Sequence, residues 1–387
     1  MKRFALMACV VVAVTSCASQ ADVFGPIGSN LGSPLTLLVN SATGRLYVNN
    51  SNNLVAYNGG SLQVYSIATP AAPDLVATAS TYSFSSQMYL DATNKFLYTP
   101  NRYNVTGIAT NNQLLQINID EASASFLGVT SINSDLNPFG IACCDPSSRM
   151  LAPTLSGTLD AYTTVSSGTP TLTSYNLSFT DSNGIVYTNP PVNQLTIIGS
   201  QAFVTVPSGG ILVVNLDKLG SGANIVDYII TGVNAPRGIA TDGTYLYVAD
   251  VETISDATVP LLVILDPSTL TALSGNTAAT SVSGATTPVF VAQLTMGNGV
   301  STTDPEEVTV GTDYVFVTNS GEDSVTIVNR VAQTVNTTVS VGDQPFGMAI
   351  YSPGGTDSTL YVANIRANTI SILDIPTLAV TATFTGP

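Results

Sequence analysis

The 387-residue chain is 44% apolar and only 9% charged, which excludes a disordered, highly charged polymer and allows a substantial buried core. Ten Lys+Arg against 25 Asp+Glu leave a formal net charge of −15, which excludes binding nucleic acid through its phosphates. There is no histidine and no tryptophan, so Ser-His-Asp and Cys-His catalysis, imidazole bases and histidine-ligated metals are excluded as well.

Residues 1–21 read as an export signal. Lys2 and Arg3 form a positive start, and Phe4 to Val14 is apolar but too short to span a bilayer as a helix. Val14-Thr15-Ser16-Cys17 resembles the lipobox of bacterial lipoproteins, in which the cysteine is lipidated and becomes the new N-terminus. Cleavage after Ala21, with small residues at Ser19 and Ala21, is the competing reading. Either route leaves 8 basic against 25 acidic residues, so membrane association is expected through acyl chains on Cys17 and not through the folded part. Residues 22–32 read as a tether, poor in charge.

From residue 33 onward a short phrase returns seven times, apolar-aromatic-apolar in its clearest copies and usually followed by Asn, Asp or a small residue. Its central residues are Tyr47, Tyr98, Leu151, Phe203, Tyr247, Phe316 and Tyr361, separated by 51, 53, 52, 44, 69 and 45 residues. That spacing holds four short strands and their turns, the content of one propeller blade. A second apolar run follows most copies and ends in Asp or Asn, as in Leu114–Asp120, Ile211–Asp217, Leu261–Asp266, Val325–Asn329 and Ile370–Asp374. The terminal side chain is expected to bond backbone two residues on and start a turn.

Ahead of three copies stand Pro138-Phe139-Gly140, Pro236-Arg237-Gly238 and Pro345-Phe346-Gly347. Inner strands converging on one axis leave little room, and glycine there lets backbones approach. With no helical periodicity from residue 33 onward, the sequence predicts an all-β chain, a seven-bladed β-propeller of four-stranded antiparallel blades over 33–387.

Leu360-Tyr361-Val362-Ala363-Asn364 followed by Ile370–Asp374, after Pro345-Phe346-Gly347, resembles the YVTN-type β-propeller repeat of cell-envelope proteins. Blades around Tyr247 and Phe316 resemble it nearly as well; those around Tyr47 and Tyr98 are looser, and the one around Leu151 is degenerate. The resemblance implies kinship with seven-bladed lactonases and with propeller domains of some periplasmic redox enzymes, without implying one activity.

Two stretches interrupt the pattern. Ser274 to Thr287, rich in Ala, Ser, Thr and Gly, reads as a long surface loop or an extra hairpin, and Thr163 to Thr188 is Ser/Thr-rich and weakly patterned. The first and last blades each look complete, so the ring is expected to close by face packing and not by a swapped strand.

Three groups of residues carry candidate chemistry. Cys143-Cys144 is the only intrachain pair left after export. Neighbouring Cα atoms lie about 3.8 Å apart across a trans peptide, shorter than most disulfides take, so a bridge here would be easily reduced. The alternative packs one cysteine between blades and leaves the other half-exposed. Phe139, Arg237, Glu306, Glu307 and Phe346 mark the channel mouth. Arg237 opposite Glu306 or Glu307 across the channel would bind a polar ligand; an ion pair holding neighbouring blades in register is the favoured reading. Phe139 and Phe346 read as caps on the core. Asp250, Glu252 and Asp256 read as a solvated loop. No metal site, phosphate loop or cofactor is implied.

The expected role is an exported, lipid-anchored, monomeric and noncatalytic envelope module. It would sit at the outer membrane, cell surface or periplasm and bind a protein or polysaccharide. One alternative is a lactonase-like hydrolase with Glu306 or Glu307 as base, and another is a periplasmic redox partner using Cys143-Cys144.

Overall fold

The computed structural model describes residues 27–54, 56–57, 59–102, 112–163, 169–254, 257–273, 280–283 and 289–387. Along them run seven four-stranded antiparallel sheets, spanning 34–81, 89–133, 142–176, 195–231, 239–295, 305–340 and 345–384. These are blades 1 to 7. Residues 1–21, read above as an export signal, and Cys17 among them, lie outside the described residues.

Every central residue of the repeated phrase lies on the second strand of its blade and is 3% exposed or less. The reason is geometric. Successive side chains on a strand point to opposite faces, and each blade is covered on both faces by its neighbours. In blade 7, Leu360 and Val362 pack against Phe316, Val325 and Ile327 of blade 6. Tyr361 points the other way, toward Leu46, Val48 and Tyr65 of blade 1. Such a strand must be apolar at consecutive positions, which is the pattern that recurs in the sequence. One apolar cluster fills each of the seven junctions between consecutive blades, that between blades 7 and 1 included. The molecule is a seven-bladed β-propeller.

The polar residue that closes the phrase has a structural role. The Asn50 carboxamide accepts from the Gly32 N–H at 3.0 Å, and Asp250 accepts from the N–H groups of Asn234 and Ala235 at 3.1 and 2.7 Å. Asp250 is fully buried, which corrects its reading as part of a solvated loop. It supplies acceptors to a loop that has no strand partner there. Asp256 lies outside the described residues. At the far end of the third strands Asp120 and Asp266 accept from the N–H two residues on, as expected; in blade 4 Asn215 takes that place and not Asp217, Asn118 adds a second such bond in blade 2, and Asn329 and Asp374 accept from the N–H three residues on.

Closure needs no exchanged strand. Blade 1 is built from 34–81 alone and blade 7 from 345–384 alone. Besides their shared apolar cluster, the Tyr361 hydroxyl donates to the Pro70 carbonyl at 3.0 Å, and the Ser33 N–H donates to Asn368 at 2.7 Å.

Two expectations are corrected at the periphery. Residues 27–32, the second half of the 22–32 tether, are folded onto blade 1. Ile27 and Leu31 are 2% and 4% exposed, and Gln63 donates to the carbonyls of Gly28 and Asn30. Leu31 joins the apolar cluster between blades 7 and 1, where burial is favoured over solvation. In the Ser274 to Thr287 insertion, Thr280–Ser283 is neither a loop nor a hairpin. It joins blade 4 as a fifth strand, parallel to Val226–Thr231. An outer strand offers unpaired N–H and C=O groups, and this segment reaches them from the neighbouring blade. The Thr163 to Thr188 stretch, where described, provides the outer strand Leu172–Asn176 of blade 3 and a short hairpin, Phe179–Thr180 with Val186–Tyr187.

Candidate functional site at the propeller mouth

The site is built where the seven inner strands begin. Each central residue pairs with one inner-strand residue, respectively Leu38, Tyr89, Ala142, Thr196, Ala240, Thr309 and Ala349. Two residues before these partners come Thr36, Gln87, Gly140, Gln194, Gly238, Glu307 and Gly347. Large and small side chains nearly alternate round that ring, and sterics explain why. A Cβ on Gly238 would stand 2.5 Å from the Glu306 carbonyl oxygen and 2.8 Å from the Glu307 Cα. One on Gly347 would stand 2.4 Å from the Leu35 carbonyl oxygen. Glycine permits this approach of neighbouring backbones, and the space left on the axis goes to Gln87, Gln194 and Glu307.

One residue earlier in each strand are Leu35, Ser86, Phe139, Asn193, Arg237, Glu306 and Phe346. All but Ser86 line a cavity of about 480 Å³ at one end of the axis, to which all seven blades contribute. Four of the five predicted mouth residues, Phe139, Arg237, Glu306 and Phe346, therefore share one cavity. Glu307 does not line it. As the next residue on the strand, it points below, into a second axial cavity of about 330 Å³.

Arg237 is not opposed across the channel. Its guanidinium bonds Glu306 of the adjacent blade 6, and its other terminal nitrogen is 2.7 Å from Asp304. The arrangement joins blades 5 and 6 in register, the favoured reading, with Asp304 as a partner the sequence reading missed. Phe139 and Phe346 meet edge to face with centroids 6.1 Å apart. They pack with Leu35 and Ile365 in an apolar cap, and Phe139 is only 4% exposed. On its other side Phe139 carries the Arg102 guanidinium, 4.0 Å above the ring. Arg102 also donates to Asn193 at 3.4 Å.

Electrostatically the mouth is crowded with acid. Burial raises the Glu306 carboxyl to about 7, against the pull of Arg237 and with a push from Asp304. Burial likewise raises Glu307 to about 7, reinforced by Glu306 and opposed by hydrogen bonds from Gln194 and Gln87. Gln87 Nε2 donates to one Glu307 oxygen at 3.0 Å and Gln194 Nε2 to the other at 2.9 Å. Neither glutamine was singled out in the sequence. Counting back from the repeated phrase through the strand register would have placed both on the axis with Glu307.

Cys143 and Cys144 are joined by a disulfide, and the peptide between them is cis. Cys143 ends the inner strand of blade 3 and packs half-buried against the blade 2–3 cluster; Cys144 is exposed, its Sγ 3.9 Å from the Tyr89 hydroxyl. Neither lines the axial cavities. A larger groove of about 750 Å³ lies at the rim, between the extra hairpin and residues 218–225, away from this chemistry. Among the described residues no group of three or more acidic or cysteine side chains is placed to hold a metal ion.

No protein-family model matches the chain, and no curated protein matches it in sequence. Solved structures do match in shape. Kuenenia stuttgartiensis hydrazine synthase superposes with a TM-score of 0.61 at 13% identity, covering 92% of this chain and 98% of that one. The β-propeller domain of Myceliophteria thermophila Cps50 (Swd1) superposes with a TM-score of 0.61 at 8% identity, covering 88% and 96%. At such identities the likeness is one of fold, and these neighbours carry no activity across.

Proposed function

We propose that this chain is an exported envelope β-propeller, lipid-anchored through Cys17, whose mouth binds a protein or polysaccharide partner without catalysis. The observation that carries the reading is the mutual engagement of the mouth's polar groups. Arg237 is held between Asp304 and Glu306, and Phe139 is clamped between Phe346 and Arg102. A rigid, mixed apolar and charged rim of this kind suits recognition. The signal-like start supports export, and the chain acts as a monomer.

Capture from the native envelope tests the binding role. The wild-type protein is expected to retain a defined partner, and a Phe346→Ala/Arg237→Met double variant to lose at least about 90% of it, the scale of one binding hot spot. Equal capture by both proteins would remove the mouth from the reading. Anchoring is tested by intact mass of the mature protein. A species beginning with acylated Cys17 is expected, and one beginning at unmodified Asp22 would refute the anchor.

One observation favours a second, hydrolytic reading. Glu306 lines the cavity with a carboxyl near 7, the range in which a general base works at neutral pH. Lactone hydrolysis by the wild type that vanishes in Glu306→Gln would establish it. The disulfide stands apart from both cavities and adds nothing to either reading.

A further inference from the structure

Glu307 is the hub of a hydrogen-bond chain that crosses the axis. Gln87 of blade 2 donates to Glu307 and accepts from the Ile141 N–H of blade 3 at 3.4 Å. Gln194 of blade 4 donates to the same carboxylate and accepts from the Ile239 N–H of blade 5 at 3.4 Å. Five blades are thereby tied through three side chains. Gln87 and Glu307 line the lower axial cavity, and Gln194 lines the upper one, so the bridge stands at the boundary between them.

We propose that the Gln87–Glu307–Gln194 bridge is a proton-operated latch across the propeller axis, closed when Glu307 is ionised and released at one glutamine when it carries a proton. An ionised carboxylate only accepts, so both oxygens receive an amide N–H. Once protonated, one oxygen becomes a hydroxyl that donates, and its glutamine N–H₂ faces a donor in place of an acceptor. Turning the amide over to accept that proton would give up its bond from the Ile141 or Ile239 N–H, so either way the N–H₂ loses its acceptor and one end of the bridge is freed. Hydrogen bonds from neutral amides stabilise the anion less than an ion pair would, and burial works against it, which fits the raised Glu307 carboxyl.

The other charged groups around the bridge are few. Glu306 precedes Glu307 on its strand and faces the mouth, where it meets Arg237 of blade 5, itself bonded to Asp304. Arg102 of blade 2 lines the mouth over Phe139. Blades 1, 3 and 7 present Thr36, Gly140 and Gly347 at this level, none of which titrates.

The test is side-chain amide exchange in protein labelled with ¹⁵N-glutamine, read as protection relative to free glutamine. The two resonances are assigned by their absence in Gln87→Leu and Gln194→Leu. Protection of at least one is expected to fall about tenfold or more between pH 8.5 and pH 5.5, the worth of one hydrogen bond to a charged group. Glu306→Gln should keep that dependence, and Glu307→Gln should abolish it. If Glu307→Gln does not fold, Gln87→Leu serves instead: the proton then sits on the oxygen that has lost its amide, and Gln194 should stay equally protected at both pH values. Equal protection at both pH values in the wild type, a response that disappears in Glu306→Gln, or a tenfold fall at Gln194 in Gln87→Leu would overturn the latch.

Discussion

Replacing Phe316 with alanine is expected to lower the unfolding free energy by about 3–5 kcal/mol, the usual cost of deleting a buried aromatic ring. Phe316 is fully buried and inserts with Val325 and Ile327 between blades 6 and 7, against Met348, Leu360, Val362 and Leu373. The second strand is covered on both faces, so the cavity cannot collapse without drawing two sheets together, and relaxation recovers little. Val331→Ala provides the control, since Val331 is 86% exposed in a turn and its loss should change stability by less than about 0.5 kcal/mol. Denaturant unfolding monitored by tyrosine fluorescence would give both values. A loss below about 1 kcal/mol in Phe316→Ala would contradict tight packing at the junction.

The second large effect is in pH. Glu306 and Glu307 have carboxyls raised from 4.5 to about 7 in the fold, so the folded chain binds their protons more tightly than the unfolded chain does. Stability from these groups is complete below about pH 4.5 and is lost as pH rises through 7. At 1.36 kcal/mol per pKa unit, either carboxylate alone accounts for roughly 3 kcal/mol at most. Repulsion from Glu306 is part of the Glu307 shift, so the pair together gives less than twice that. Wild-type stability is therefore expected to fall by about 2–4 kcal/mol between pH 5 and pH 8.5, and Glu307→Gln to flatten roughly half of that slope. Asp242 acts in the opposite sense. Backbone N–H groups of Tyr245 and Thr244, with Tyr247 and Arg330, lower its carboxyl despite burial, so its contribution is lost only in stronger acid. Unfolding midpoints across that pH range, for wild type and variant, decide the matter; parallel curves would mean that Glu307 is not a source of the slope. Protonation strengthens the whole fold by removing a buried charge while it loosens the axial bridge locally, and the two effects are read by different measurements.

Much of the architecture was written along the chain because a propeller repeats local rules. Tyr47, Tyr98, Tyr247 and Tyr361 recur where a strand is buried on both faces, and Asn118, Asn215, Asp266 and Asp374 recur where the next turn begins. Blade number, strand order and the glycines at the axis all follow from interactions within a blade or with the blade beside it. Four mouth residues were legible for the same reason, since each stands at the inner-strand entry, 10 to 15 residues ahead of the central residue of its blade's phrase.

What the sequence left open depends on groups far apart in the chain. Gln87 and Gln194 stand 220 and 113 residues from Glu307, and only the closed ring brings them within 3.0 Å of it. Asp304 became the second partner of Arg237, and Thr280–Ser283 found the edge of blade 4, through the same circular geometry. Periodicity reports how each blade is made. The pairing of side chains across the axis is decided by seven strands meeting in one place, where sequence distance has no bearing on which groups touch.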